Sequence, residues 1–180
     1  MNIALVPGEV REQRLEAWLT EYGDAVLRMC FVYLADRALA EDALQDTFVK
    51  VWRNMDRFEG RNASTAKTWI MRIAMNTCKD YRRSAWLRHT DLTKAIEDLP
   101  LVFPDVVSES RALFLDVMRL PAKYKQVILL YYFHDMTMAE VGEALHLSRS
   151  AIQHRLKKAY ALLRYEPEGS DFDEAEQCDS

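Results

Sequence analysis

Two stretches of the 180-residue chain carry side chains whose types and spacing suit recognition of a polyanion. Between Ser148 and Arg164 stand five basic residues and no acidic one. From Thr65 onward, Thr68, Arg72, Asn76, Lys79 and Arg83 recur at offsets of four, four, three and four, which is one face of a helix. Guanidinium and ammonium groups in such rows pair with phosphates, while amides and hydroxyls can hydrogen-bond bases. A third row, Asp42, Gln45, Asp46 and Val49, lies away from an apolar stripe and suits a protein partner better than DNA. Each row taken alone is also readable as a solvated helix face. Catalytic chemistry has no comparable foothold. His89, His134, His146 and His154 form no HExxH pair, Cys30, Cys78 and Cys178 are far apart with no CxxC, and no Ser, Cys or Asp sits in a nucleophile context. No metal, cofactor or enzymatic activity is expected.

The elements that must position these rows are helices. With 49% apolar residues the chain can build a core, and with 5 Gly and 5 Pro it has little material for a hairpin-rich fold. Periodicity predicts helices near 9–21, 24–35 and 38–57, punctuated at Gly23 and Asp36, then a helix over about 65–86. Leu44, Phe48, Val51, Trp52 and Met55 form the core stripe of the third helix. Pro100 and Pro104, among Glu97, Asp98 and Asp105, read as an acidic linker over 91–107. Helices are expected again at about 108–119, 122–134, 137–145 and 148–164. The expectation is therefore an all-α chain of two small helical domains, 1–90 and 108–165, joined by a flexible linker and followed by a tail over 166–180.

Charge separates along the same lines. The tail from Glu166 holds seven acidic residues and no basic one, so the net charge of −4 masks a body of 24 basic against 21 acidic residues. Lys50 to Lys94 alone holds 11 basic residues against four acidic ones. No apolar run, Val127–Phe133 included, exceeds seven residues, so no membrane span is expected, and MNIALVPGEV does not resemble a secretory signal. Reduced cysteines and a cytoplasmic location follow as expectations.

The sharpest local signal is Thr137–Leu156, TMAEVGEALHLSRSAIQHRL, a helix-turn-helix pattern. Thr137 and Glu140 make a capping box, Gly142 allows close helix approach, Ser148 can cap the second helix, and Val141, Leu145, Leu147, Ile152 and Leu156 can share a small core. His146 is a departure in the turn, which commonly holds Gly at a positive backbone angle, a region that His tolerates better than most residues. In order, the carrying segments are AEDALQDTFVKVWR, RFEGRNASTAKTWIMRIAMNTCKDYRR and LPAKYKQVILLYYFHDMTMAEVGEALHLSRSAIQHRLKKAYALLR. Together they resemble a bacterial RNA polymerase sigma factor of the extracytoplasmic-function group, in the sigma-70 family.

The resemblance implies that residues up to about 90 form region two, which binds core RNA polymerase and opens the minus-ten element. Residues from about 108 would form region four, which reads the minus-thirty-five element in promoter DNA. It implies core-polymerase contacts from Asp42, Gln45, Asp46 and Val49. It implies minus-ten contacts from the loop residues Arg61, Asn62, Ser64 and Thr65 and from Arg72, Asn76, Lys79, Arg82 and Arg83. Minus-thirty-five contacts would come from Ser148, Arg149, Gln153, Arg155, Lys157 and Lys158. An anti-sigma factor is a further partner that the resemblance suggests. Ser150-Ala151-Ile152 and Gln153 depart from the family's frequent recognition-helix pattern, so promoter preference is not transferable from relatives.

Overall fold

The computed structural model describes residues 7–58, 65–83, 92–104 and 108–165, all helices and their connections. The first helix, α1 (Pro7–Leu34), runs unbroken through Gly23 where two helices were expected. An isolated glycine costs a helix only about 1 kcal/mol, and the apolar contacts on either side outweigh that. The first sharp stop comes at Ala35, in the left-handed conformation with φ 53°. Asp36 then caps α2 (Arg37–Phe58), its carboxylate accepting from the Leu39 N–H at 3.0 Å. The apolar stripe of α2 is buried as expected at Phe48, Val51 and Met55, with Leu44 and Trp52 half-buried at its edge.

Thr65 caps α3 (Ala66–Arg83), accepting from the Thr68 N–H at 3.2 Å. These three helices enclose an aromatic cluster in which Trp18 meets Phe58 edge-on at 5.6 Å and Phe58 lies 5.1 Å from Trp69. Cys30 and Cys78 face each other as free thiols at 3.3 Å, both fully buried.

Inside the span expected as a linker the chain forms a helix, α4 (Leu92–Val102), with Pro100 accommodated in its last turn. Ala95, Leu99, Val102 and Phe103 are buried. Of the acidic residues that suggested a linker, Glu97 is exposed and Asp98 half-buried on an amphipathic helix whose inner side meets α1, α2 and α5, and Asp105 lies outside the described residues. Phe103 extends this bridge, lying 6.4 Å from Phe31 of α1 and 4.6 Å from Phe114 of α5.

The second half comprises α5 (Ser108–Arg119), α6 (Ala122–Ile128), a π-helical turn over Leu129–Phe133, α7 (Met138–Leu145) and α8 (Arg149–Leu163). Pro121 sits just before α6, where its missing N–H costs nothing. The apolar interiors of the two halves form one continuous cluster. No described helix is long and apolar enough to cross a membrane.

Candidate nucleic-acid and polymerase interface

The helix-turn-helix is assembled by local chemistry that was legible in the sequence. Thr137 and Glu140 form a complete capping box at the start of α7. His146 takes the left-handed conformation at φ 55° and ψ 50°, and the Leu147 N–H returns to the Gly142 carbonyl at 3.0 Å. A Cβ on Gly142 would stand 2.8 Å from the Leu147 oxygen, so the tight turn requires a glycine there. Ser148 caps α8, accepting from the Ala151 N–H at 3.3 Å. Ile152 and Leu156 are fully buried, each worth about 1.5–3 kcal/mol of apolar transfer, which fixes the rotation of α8.

That rotation leaves Arg149, Lys157 and Lys158 exposed and Gln153 half-exposed. Arg149, Gln153 and Lys157 follow at i, i+4 and i+8 and share one face. Arg155, two residues from Gln153, lies on a different side of α8 and lines a cleft of about 540 Å³ with Lys79, Arg82 and Arg83 of α3 and Lys123 of α6. The expected minus-thirty-five set is therefore divided between an outer face and an inner one. Ser148 spends its hydroxyl on the helix cap and a 3.1 Å contact with Ser150 Oγ.

On α3 the polar row is only partly open. Asn76, Arg82 and Arg83 are exposed, while Lys79 is half-buried and its pKa falls through burial first, then through the nearby Arg155 and Arg83 charges. Thr68, expected on the same exposed row, is 1% exposed. Its hydroxyl donates to Glu140 Oε1 of α7 at 2.8 Å, and Arg72 Nη1 lies 3.8 Å from Glu143 Oε1. The sequence pattern placed Thr68 on the correct side of the helix, but that side is covered by the second half of the molecule. Thr65 is exposed, with its hydroxyl engaged by Thr68. Arg61, Asn62 and Ser64 lie outside the described residues.

On α2, Asp42, Gln45, Asp46 and Val49 are all exposed and form a contiguous patch by helical spacing. Asp46 accepts a hydrogen bond from Tyr81 of α3 at 2.8 Å. The Tyr81 pKa is pushed up to about 12, chiefly by burial, then by Asp46. Neighbouring Lys50 turns away to Thr77 Oγ1 at 3.0 Å and Asp80 at 3.5 Å, leaving the patch acidic.

One important residue escaped the sequence reading. Lys125 is 3% exposed and donates to the carbonyls of Met118, in the last turn of α5, and of Tyr33, in the last turn of α1, at 3.4 Å to the latter. The ammonium thus sits at the negative ends of two helices, one from each half. Its spacing to the buried Ile128 and Leu129, three and four residues on, was the available signal: a lysine on an apolar face. Among the described residues no group of three or more His, Cys, Asp or Glu could hold a metal ion.

Comparison with known proteins places both halves. The sequence model of Sigma-70 region 2 matches residues 12–88, and that of Sigma-70, region 4 matches residues 117–163. The ECF RNA polymerase sigma factor SigW of Bacillus subtilis is 28% identical over 158 residues, covering 79% of this chain and 83% of SigW. The RNA polymerase sigma factor NccH of Alcaligenes xylosoxydans is 32% identical over 133 residues, covering 68% of this chain and 70% of NccH. In fold, the chain is similar to the sigma factor RpoE of Bartonella quintana, solved with the anti-sigma factor NepR. The TM-score is 0.67 at 19% identity, over 84% of this chain and 95% of that one.

Proposed function

Because the chain belongs to the sigma-70 family of RNA polymerase sigma factors, in its extracytoplasmic-function group, we propose that its two halves divide promoter recognition between α3 and α8. The chain directs promoter-specific transcription initiation by RNA polymerase. On our reading, residues 1–90 dock on core polymerase through Asp42, Gln45, Asp46 and Val49. Arg61, Asn62, Ser64 and Thr65, with Arg72, Asn76, Lys79, Arg82 and Arg83 of α3, open the minus-ten element. Residues 108–165 read the minus-thirty-five element as duplex, with Arg149 and Gln153 toward base edges and Lys157 and Lys158 toward phosphates. The chain acts as a specificity subunit without catalysis of its own, in the cytoplasm with the polymerase. An anti-sigma factor is a partner of the same kind as that in the Bartonella complex.

The observation that carries this reading is the rotation of α8. Full burial of Ile152 and Leu156 leaves a cationic and amide-bearing row facing outward from a capped turn. The polymerase-facing half is tested by Asp42→Arg with Asp46→Arg. Both residues are exposed, so the fold should survive with an unchanged circular dichroism melt while co-purification with core polymerase is lost. Retained co-purification would remove α2 from the docking face. For α3, Asn76→Ala with Arg83→Ala should abolish permanganate-detected strand opening in the holoenzyme, and normal opening would refute the assignment.

A further inference from the structure

We propose that the groove between α3 and the α5, α6 and α8 side of the molecule is a binding site for a short chain of linked phosphates, inorganic or carried by a nucleotide. The site goes beyond promoter recognition, because three of its cations, Arg119, Lys123 and Lys125, belong to none of the DNA rows.

Two spaces make up the site. The cleft of about 540 Å³ gathers Lys79, Arg82, Arg83, Lys123 and Arg155 from α3, α6 and α8. A narrower cavity of about 210 Å³ adds Arg119, at the end of α5, and the buried Lys125. Tyr33 and Arg82 line both spaces, so the two adjoin. The Arg82 guanidinium and the Lys125 ammonium each lie 5.9 Å from the centre of the Tyr33 ring.

Among the described residues no carboxylate lines either space. Arg83 and Arg119 meet carboxylates only on their own helices, Asp80 at 3.9 Å and Asp116 at 3.4 Å, in exposed pairs that contribute little. Lys79, Arg82, Lys123 and Arg155 form no ion pair among the described residues. Like charges gathered around one partly enclosed space raise its positive potential and draw in an anion. The same field acts on the cations themselves: the Lys79 pKa is lowered by burial and then by Arg155 and Arg83, and that of Lys125 by burial and then by Arg82.

The layout selects the ligand. A single phosphate or carboxylate is too short to meet Lys125 in the cavity together with Lys123 and Arg155 in the cleft. A run of linked phosphates carries charge along its whole length, and its oxygens suit the bidentate pairing of guanidinium groups. The inner cavity of about 210 Å³ has the volume of about seven waters at roughly 30 Å³ each, which is room for a terminal phosphate. There Lys125 engages two of its three N–H groups with the Met118 and Tyr33 carbonyls and keeps the third for a ligand oxygen. On the promoter reading above, Arg82, Arg83 and Arg155 are also DNA contacts, so an occupied site competes with DNA. Binding itself does not depend on that reading and is measured without DNA.

The test is isothermal titration calorimetry of the full-length chain at low salt in metal-free buffer, with inorganic tripolyphosphate, ATP, adenosine and orthophosphate. One equivalent of tripolyphosphate should bind saturably, orthophosphate at least tenfold more weakly, and adenosine not at all. ATP binding no tighter than tripolyphosphate supports an inorganic chain as the ligand, and tighter ATP binding supports a nucleotide-borne one. Arg119→Gln with Lys123→Gln, two exposed changes, should weaken tripolyphosphate binding at least tenfold with an unchanged circular dichroism melt, and Lys123→Gln alone should give a smaller loss. Arg53→Gln with Arg57→Gln, exposed on α2, removes the same charge elsewhere and should leave the affinity within twofold.

Absence of saturable binding would overturn the proposal, as would orthophosphate binding as tightly as tripolyphosphate, or adenosine binding by itself. Equal losses in the two double variants would overturn it too, since they would reduce the effect to net charge. Failure of the promoter reading would appear separately, as holoenzyme opening that ignores Asn76→Ala with Arg83→Ala.

Discussion

Closure of the two halves on each other, along the seam where Thr68 meets Glu140 and Lys125 meets Tyr33, removes the Lys125 ammonium from water, and this makes the closed state dependent on pH with a computable sign. Burial first, and the Arg82 guanidinium second, lower its pKa from 10.5 to about 7. The two helix-end carbonyls favour the cation but do not offset the lost hydration. Arg82 and Arg119 line the same cavity, and among the described residues no carboxylate does. In an opened molecule the side chain is solvated and titrates near its ordinary value. Between pH 7 and 10.5 the open form therefore holds one proton more than the closed form, so rising pH strengthens closure. The gain is about 1.4 kcal/mol, or tenfold, per pH unit.

Other groups at the seam push the same way. The Lys79 pKa is lowered in the closed form by burial and by Arg155 and Arg83. For Glu140, burial pushes the pKa up, but hydrogen bonds from Thr137 and Thr68 and the Lys67 charge outweigh it and hold the carboxyl below its usual range, so this contact weakens as pH falls. The assay is energy transfer between dyes on Glu16→Cys and Lys157→Cys, both exposed positions, in a Cys178→Ser background. We expect transfer to rise from pH 6.5 to 9 in the wild-type seam. The slope should fall by about one proton in Lys125→Met, which keeps an unbranched apolar stem of four heavy atoms and lacks the terminal ammonium. Transfer that is flat with pH, or a slope untouched by Lys125→Met, would refute the argument.

Two further outcomes follow from the helix-turn-helix. Gly142→Ala should destabilise the second half: the strain of a Cβ at 2.8 Å from the Leu147 oxygen, roughly 1–3 kcal/mol by analogy with overpacked cores, exceeds the roughly 1 kcal/mol of helix propensity gained. Calorimetry should show a Tm lower by a few degrees, and an unchanged Tm would mean the turn relaxes freely. Gln153→Ala should lose roughly 1–3 kcal/mol of discrimination at one base pair of the minus-thirty-five element, because Gln pairs with adenine through two hydrogen bonds. Lys158→Ala should weaken all promoters alike and flatten their salt dependence. A randomised-promoter selection that keeps every preferred base after Gln153→Ala would assign that side chain to positioning.

What the sequence made legible is what depends on near neighbours in the chain. The capping box at Thr137, the cap at Ser148, the left-handed His146 and the buried stripe of α2 each follow from residues within a turn or two. Gly23 misled because a breaker signal is weak against a long apolar face that packs on both sides of it. The acidic composition around Glu97 and Asp98 suggested a linker, whereas Ala95, Leu99 and Val102 at helical spacing bury α4. Thr68 with Glu140 and Lys125 with Tyr33 join residues 72 and 92 positions apart. No local pattern encodes such pairs, and they decide which parts of the expected DNA faces are open.

The π-helical turn over Leu129–Phe133 sets the angular phase of everything after it. A π-helical turn spends an extra residue relative to an α-helical one, and each residue of an α-helix advances by about 100°. Here the return is closed by the Met136 N–H on the Leu130 carbonyl at 3.2 Å. Deleting one residue from this turn would let the segment relax to an α-helix while swinging α7 about a third of a revolution. Glu140 and Glu143 would then leave α3 with every one of their own side chains unaltered. The wide turn acts as a phase-setting element, so a single-residue deletion there should reset the seam without touching either of its surfaces.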